Sequence, residues 1–243
     1  AVISYTVTNA CGSAVATTTI TVNLIPNAGS ISGASSVCVG NTIGLTSTAT
    51  GGTWSSTSSN ISISGSTVTG VSAGSAVISY VVTDGCGTAV ATTTITVNPL
   101  PNAGAITGSS TVCVGSSIGL SNATTGGVWS SPSSNVSVSG STVTGVSAGS
   151  ALISYMVTNA CGSAVATTTI TVNPLPNAGT ITGSSTVCVG STIGLSNATT
   201  GGVWSSASGN VSVSGSSVSG VSAGSAVISY TVTNACGSAV ATT

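Results

Sequence analysis

Val68-Thr69-Gly70-Val71-Ser72-Ala73-Gly74-Ser75-Ala76-Val77-Ile78-Ser79-Tyr80 decides how this chain is read, because it comes back. It returns from Val143 to Tyr155 with Leu152 for Val77, and from Val218 to Tyr230 with Ser219 for Thr69. Residues Ala1 to Tyr5 repeat its tail. Tyr5, Tyr80, Tyr155 and Tyr230 therefore stand 75 residues apart. A fixed period of this kind marks an array of like units. A unit of this size closes a core of its own, though a thin one.

Outward from that stretch lie the joints between units. Asn23-Leu24-Ile25-Pro26-Asn27 returns as Asn98-Pro99-Leu100-Pro101-Asn102 and as Asn173-Pro174-Leu175-Pro176-Asn177. Proline fixes φ and removes a ladder donor, so these read as short stiff linkers. The expected division is 1–24 as the end of one repeat, then repeats at 25–98, 99–173 and 174–243, the last truncated in its final strand.

Within a unit the apolar period is two, not 3.6. In the second unit the expected strands are Ala105–Thr107, Thr111–Val114, Ser117–Ser121, Val128–Ser130, the Val136/Val138 stretch, Thr142–Val146, Ala151–Thr158 and Ala164–Val172. The Asn159-Ala160-Cys161-Gly162 segment between the last two reads as a turn, since Asn and Gly accept positive φ. Seven or eight short strands punctuated by Gly and Asn predict an all-β chain, a tandem array of antiparallel β-sandwiches. Trp54, Trp129 and Trp204 occur once per unit and, with Tyr80, Tyr155 and Tyr230, are the expected core anchors. The rival reading makes each Trp a platform for a sugar ring.

The unit resembles the bacterial immunoglobulin-like repeats (Big type) that stand in tandem in large surface proteins. The residues that carry the likeness are Ser141 to Tyr155, Val-Cys-Val-Gly at Val112 to Gly115, and Gly-Gly-Val-Trp-Ser-Ser at Gly126 to Ser131. The resemblance implies immunoglobulin-like beads serving as stalks, spacers or adhesive arrays at a cell surface. The chain departs from that family in having almost no charge. Without Lys it cannot form the Lys–Asn isopeptide crosslinks of some surface pili.

The charge inventory is one acidic residue, Asp84, with no Lys, Arg or His. No basic surface exists for nucleic acid or an anionic membrane. No general base stands ready to activate the many hydroxyls, and no paired acids exist for glycoside hydrolysis. A hard cation wants several carboxylates, and Asp84 is alone. It stands where Asn9, Asn159 and Asn234 stand in the other units, so it reads as a turn residue. The sequence thus predicts no enzyme, no cofactor and no metal. No run of 18 apolar residues predicts a membrane helix. A near-neutral surface favours association, which makes other copies of the chain the expected partner. Asn60, Asn122, Asn135, Asn197 and Asn210 fit Asn-x-Ser/Thr, a pattern that arises readily by chance in a Ser/Thr-rich chain.

Seven cysteines without charged neighbours point to disulfides in an oxidising compartment. Cys11, Cys38, Cys86, Cys113, Cys161, Cys188 and Cys236 alternate in spacing between 27 and 48 residues. The simplest pairing lies within units: Cys38–Cys86, Cys113–Cys161 and Cys188–Cys236, with the partner of Cys11 upstream. An immunoglobulin-type strand order would set those cysteines at opposite ends of a unit and favour Cys38–Cys161 and Cys113–Cys236 instead. Free or inter-chain thiols are the third arrangement.

Residues 1–18 and 226–243 are identical. The expectation is a segment of a much longer array. The functional expectation is a non-catalytic structural repeat of a long extracellular bacterial filament or surface fibre. The alternative is an adhesin stalk or a glycan-binding surface module.

Overall fold

The computed structural model describes all 243 residues, and every regular element in it is a β-strand. Alternating Val, Ile, Thr and Ser suit a pleated surface with one buried face. By its packing the chain divides into two compact units: Ala1–Pro101 with Thr158–Ser163, and Asn102–Val157 with Ala164–Thr243.

The first unit opens on a hairpin, β1 (Val2–Asn9) and β2 (Gly12–Thr19), which forms a two-stranded sheet by itself. Its Ile3, Tyr5 and Val7 are exposed. Eight strands then build a sandwich: β3 (Ile31–Gly33), β4 (Ser36–Cys38), β5 (Thr42–Ser47), β6 (Thr53–Ser55), β7 (Ile61–Ser64), β8 (Thr67–Gly70), β9 (Gly74–Asp84) and β10 (Gly87–Asn98). One sheet has the order β3-β5-β8-β7 and the other β4-β10-β9-β6. Val37, Leu45, Ile61, Val68, Ala76, Ile78, Ile95 and Val97, drawn from both sheets, form the core between them. Burying eight such side chains at roughly 1.5–3 kcal/mol for each large one is the main force holding the layers together.

The second unit repeats this plan with β11 (Ile106–Gly108), β12 (Thr111–Cys113), β13 (Ser117–Asn122), β14 (Val128–Ser130), β15 (Val136–Ser139), β16 (Thr142–Gly145), β17 (Gly149–Asn159) and β18 (Gly162–Asn173). Its sheets are β11-β13-β16-β15 and β12-β18-β17-β14, around a core of matching residues. A third sandwich follows: β19 (Ile181–Gly183), β20 (Thr192–Asn197), β21 (Val203–Ser205), β22 (Val211–Ser214), β23 (Ser217–Gly220), β24 (Ser229–Asn234) and β25 (Gly237–Thr242). Here residues 186–188 form no strand, and only Leu195, Val218 and Ile228 make a buried cluster. In the other sandwiches the matching segment lies against Thr96–Asn98 or Thr171–Asn173, and the third has no counterpart of those residues.

The architecture is therefore an immunoglobulin-like tandem array of about 75 residues per repeat. Two features were not visible in the alternation. The segments 105–107 and 111–114, read as one strand resumed after a turn, lie in different sheets: β11 pairs with β13, whereas β12 pairs with β18. That β12–β18 pairing is parallel, as is β4–β10. The chain then crosses back to the other sheet, where Gly115 N–H donates to the Gly145 carbonyl at 2.8 Å. Gly145 must be glycine at this crossing, because a Cβ there would lie 2.6 Å from the Cys113 carbonyl oxygen.

The aromatic residues meet across strands. Trp54 pairs with Tyr80, Trp129 with Tyr155 and Trp204 with Tyr230. Their ring centroids lie 4.6–4.7 Å apart. The tyrosines are buried; the tryptophans are half-buried and rest on the cores. Tyr155 Oη accepts from Gly127 N–H at 2.8 Å and donates to the Thr124 carbonyl at 2.7 Å, and its two counterparts do the same. Each tyrosine thus ties the Gly-Gly turn down over the edge of its sandwich.

Candidate functional site: a stapled joint

The chemistry of this chain is concentrated in its cysteines. Cys38 ends β4, where the parallel pairing aligns it with Asn98 at the close of β10. Cys161 sits in the two-residue turn that joins β17 to β18, a turn whose contacts place it in the first compact unit. The two are bonded, with Cα atoms 5.7 Å apart. Cys113 and Cys236 are bonded in the same way, with Cα atoms 5.6 Å apart. Both separations fall in the range a disulfide spans without moving the backbone.

Each staple has the same supporting bonds. Asn159 Oδ1 accepts from Cys161 N–H at 2.8 Å, which shapes the turn. Asn159 Nδ2 donates to the Pro99 carbonyl at 3.0 Å, so one side chain both forms the turn and seats it on the linker. Cys161 Sγ, which carries no proton once bonded, lies 3.8 Å from the Asn98 carbonyl oxygen. Asn234 repeats the arrangement, accepting from Cys236 N–H at 2.7 Å and donating to Pro174 O at 3.0 Å.

This corrects the within-unit pairing. Cys86 and Cys188 are not bonded to Cys38 and Cys236; with Cys11 they carry free, exposed thiols. The physical reason is the parallel strand. Cys113 aligns with Asn173 at one end of β18, while Cys161 precedes Gly162 at the other. A strand of that length separates them by roughly 36–40 Å at about 3.3 Å per residue. No such gap can be bridged, whereas the hairpin turn of the next repeat lies within reach.

Asp84 takes the place of Asn159 in the first sandwich. Its Oδ1 accepts from Cys86 N–H at 2.8 Å, so the turn keeps its shape. An ionised carboxylate has no proton to donate, so the second bond, the one to a linker carbonyl, is lost at this turn.

The Asn-x-Ser/Thr asparagines are occupied. Nδ2 of Asn60 donates to Ser72 and Ala73, and that of Asn122 to the Ala103 carbonyl. Asn135, Asn197 and Asn210 donate to Ala148, Ala178 and Ser225. A glycan on Nδ2 would compete with each of these bonds. The Trp129 face is likewise engaged, between Tyr155 and the core. No helix is long and apolar enough to cross a membrane.

No family model matches the chain, and no curated protein matches it. Among solved structures it is similar to the I-band fragment I67–I69 of titin, at 14% identity and TM-score 0.40, over 85% of this chain and 93% of that one. It is also similar to domains 1–6 of the surface layer protein SbsC, at 15% identity and TM-score 0.24, over 82% of this chain and 35% of that one.

Proposed function

We propose that this chain is a non-catalytic structural segment of a long extracellular filament or surface fibre, built from bacterial immunoglobulin-like repeats. The observation that carries the reading is that the two staples overlap. One closes Cys38 to Cys161 and the other Cys113 to Cys236, each over 123 residues. On the chain-entropy argument, closing a loop of that size stabilises the folded state by about 5 kcal/mol. The mechanical consequence is larger. Under tension, the shortest covalent path runs through residues 1–38, across to 161, back to 113, and across to 236–243. Its extension is limited to roughly 320 Å, against roughly 850 Å for the same chain with its disulfides reduced, at about 3.5 Å per residue.

Disulfides support an oxidising, extracellular setting. A nearly uncharged surface supports lateral contact between copies. The absence of His, Lys and a second carboxylate from the sequence supports a role without catalysis. Engagement of the Trp faces and of the sequon asparagines favours this reading over a glycan-binding module.

Single-molecule stretching tests the proposal. The oxidised chain is expected to stop short at about two-fifths of the reduced length. Equal lengths before and after reduction would remove the mechanical role.

A further inference from the structure

Both halves of the stapled joint occur once more in this chain, unused. The turn half is Asn9-Ala10-Cys11-Gly12, identical in sequence to Asn159–Gly162 and Asn234–Gly237. It already has the shape of the bonded turns, for Asn9 Oδ1 accepts from Cys11 N–H at 2.9 Å, and Cys11 is exposed with a free thiol. The strand half is Val187-Cys188-Val189-Gly190. Ser191 N–H donates to the Cys188 carbonyl at 3.0 Å, and Gly190 N–H to Gly220 O at 2.9 Å. Ser116 with Cys113, and Gly115 with Gly145, make the same bonds at 3.0 and 2.8 Å beside the bonded Cys113. Cys188, too, is exposed and free.

We propose that Cys188 of one copy and Cys11 of a second copy close this joint again, linking chains covalently. The partner is a second copy because the turn and strand halves are those of an interface this chain makes twice with itself. Asn9 is the specificity element. It can donate its Nδ2–H to a main-chain carbonyl, as Asn159 and Asn234 do, whereas Asp84 beside the other free turn cysteine, Cys86, cannot. The chemistry is thiol–disulfide exchange with a small-molecule disulfide as the oxidant. The Cys188 thiolate attacks the reagent's S–S bond and expels one thiolate. The Cys11 thiolate then attacks the mixed disulfide and expels the second. Two protons leave the protein thiols, two electrons pass to the reagent, and one new S–S bond joins the copies. The inference rests on the array reading of the chain but not on where the array is found.

The test mixes isotopically labelled and unlabelled native chains with oxidised glutathione. Elastase digestion and mass spectrometry then assign each disulfide peptide. The expected result is a mixed-label peptide joining Cys188 to Cys11 as the dominant new bond. It should persist in Cys86→Ser and fall by roughly threefold to tenfold in Asn9→Asp, the cost of one hydrogen bond. A statistical mixture of all thiol pairs, a Cys188–Cys86 bond in its place, a Cys188–Cys11 bond within one chain, or an undiminished yield in Asn9→Asp would each overturn it. Peptides joining Cys38 to Cys161 and Cys113 to Cys236 in the same digest report separately on the staples behind the fibre reading.

Discussion

Tyr155 and Gly127 act as a pair. The phenol oxygen bridges two main-chain groups, and the ring lies so close to Gly127 that a Cβ there would run into it. Replacing Tyr155 by Phe leaves the Gly127 N–H and the Thr124 carbonyl without that partner, at a cost of about 1–2 kcal/mol in a half-buried site. Gly127→Ala pushes the ring out of its place and should cost about 1–3 kcal/mol. Both changes undo one contact, so the double variant should lose less than the two single losses added together. Urea unfolding of the four proteins measures this. Strict additivity would show that the turn and the ring are independent.

At the scale of the element, the turn between β17 and β18 belongs covalently to one repeat and by its contacts to another. Its energetic weight can be read by removing cysteines one at a time. Cys161→Ser opens the first staple and should lower stability by about 2–5 kcal/mol. Cys86→Ser removes a free, exposed thiol and should stay within about 0.5 kcal/mol of the parent. Calorimetry on the two variants checks the contrast, and equal losses would deny the turn its role. The strands themselves were legible in the sequence, because one-face burial writes itself as alternation: Ala151, Ile153 and Tyr155 are buried, as are Ile170 and Val172. The disulfide partners were not. Which end of β18 faces Cys113 depends on whether β12 runs parallel or antiparallel to it, and no residue in Thr111–Cys113 encodes that direction. The switch of β12 into the second sheet was hidden for the same reason: its strand character is local, but its partner is 60 residues away. The joint's second support was also missed. Asn159 reads as a turn residue, and only the arrival of Pro99 makes its Nδ2 a tether.

Taken whole, the molecule carries a formal charge of −1 and is held without side-chain ion pairs, for it has no side-chain cation. Its stability rests on apolar burial, main-chain ladders and the two staples. Salt screens interactions between charges, with a Debye length falling from about 30 Å at 0.01 M to about 3 Å at 1 M. It has almost nothing here to screen. Sodium chloride between those limits should therefore leave the Tm within about 1 °C, apart from any general effect on apolar hydration. Sulfate acts differently: excluded from the protein surface, it strengthens burial and should raise the Tm steadily with concentration. The comparison separates the two forces in one experiment. A Tm that moved by several degrees in dilute sodium chloride would mean that charge contributes to holding the fold. The only candidates would then be Asp84, the chain's carboxyl terminus and the α-amino group, which donates to the Ile20 carbonyl at 2.7 Å. Removing Asp84 by substitution with Asn and repeating the titration would then decide between the side chain and the termini, and the expected result is a flat line in both proteins.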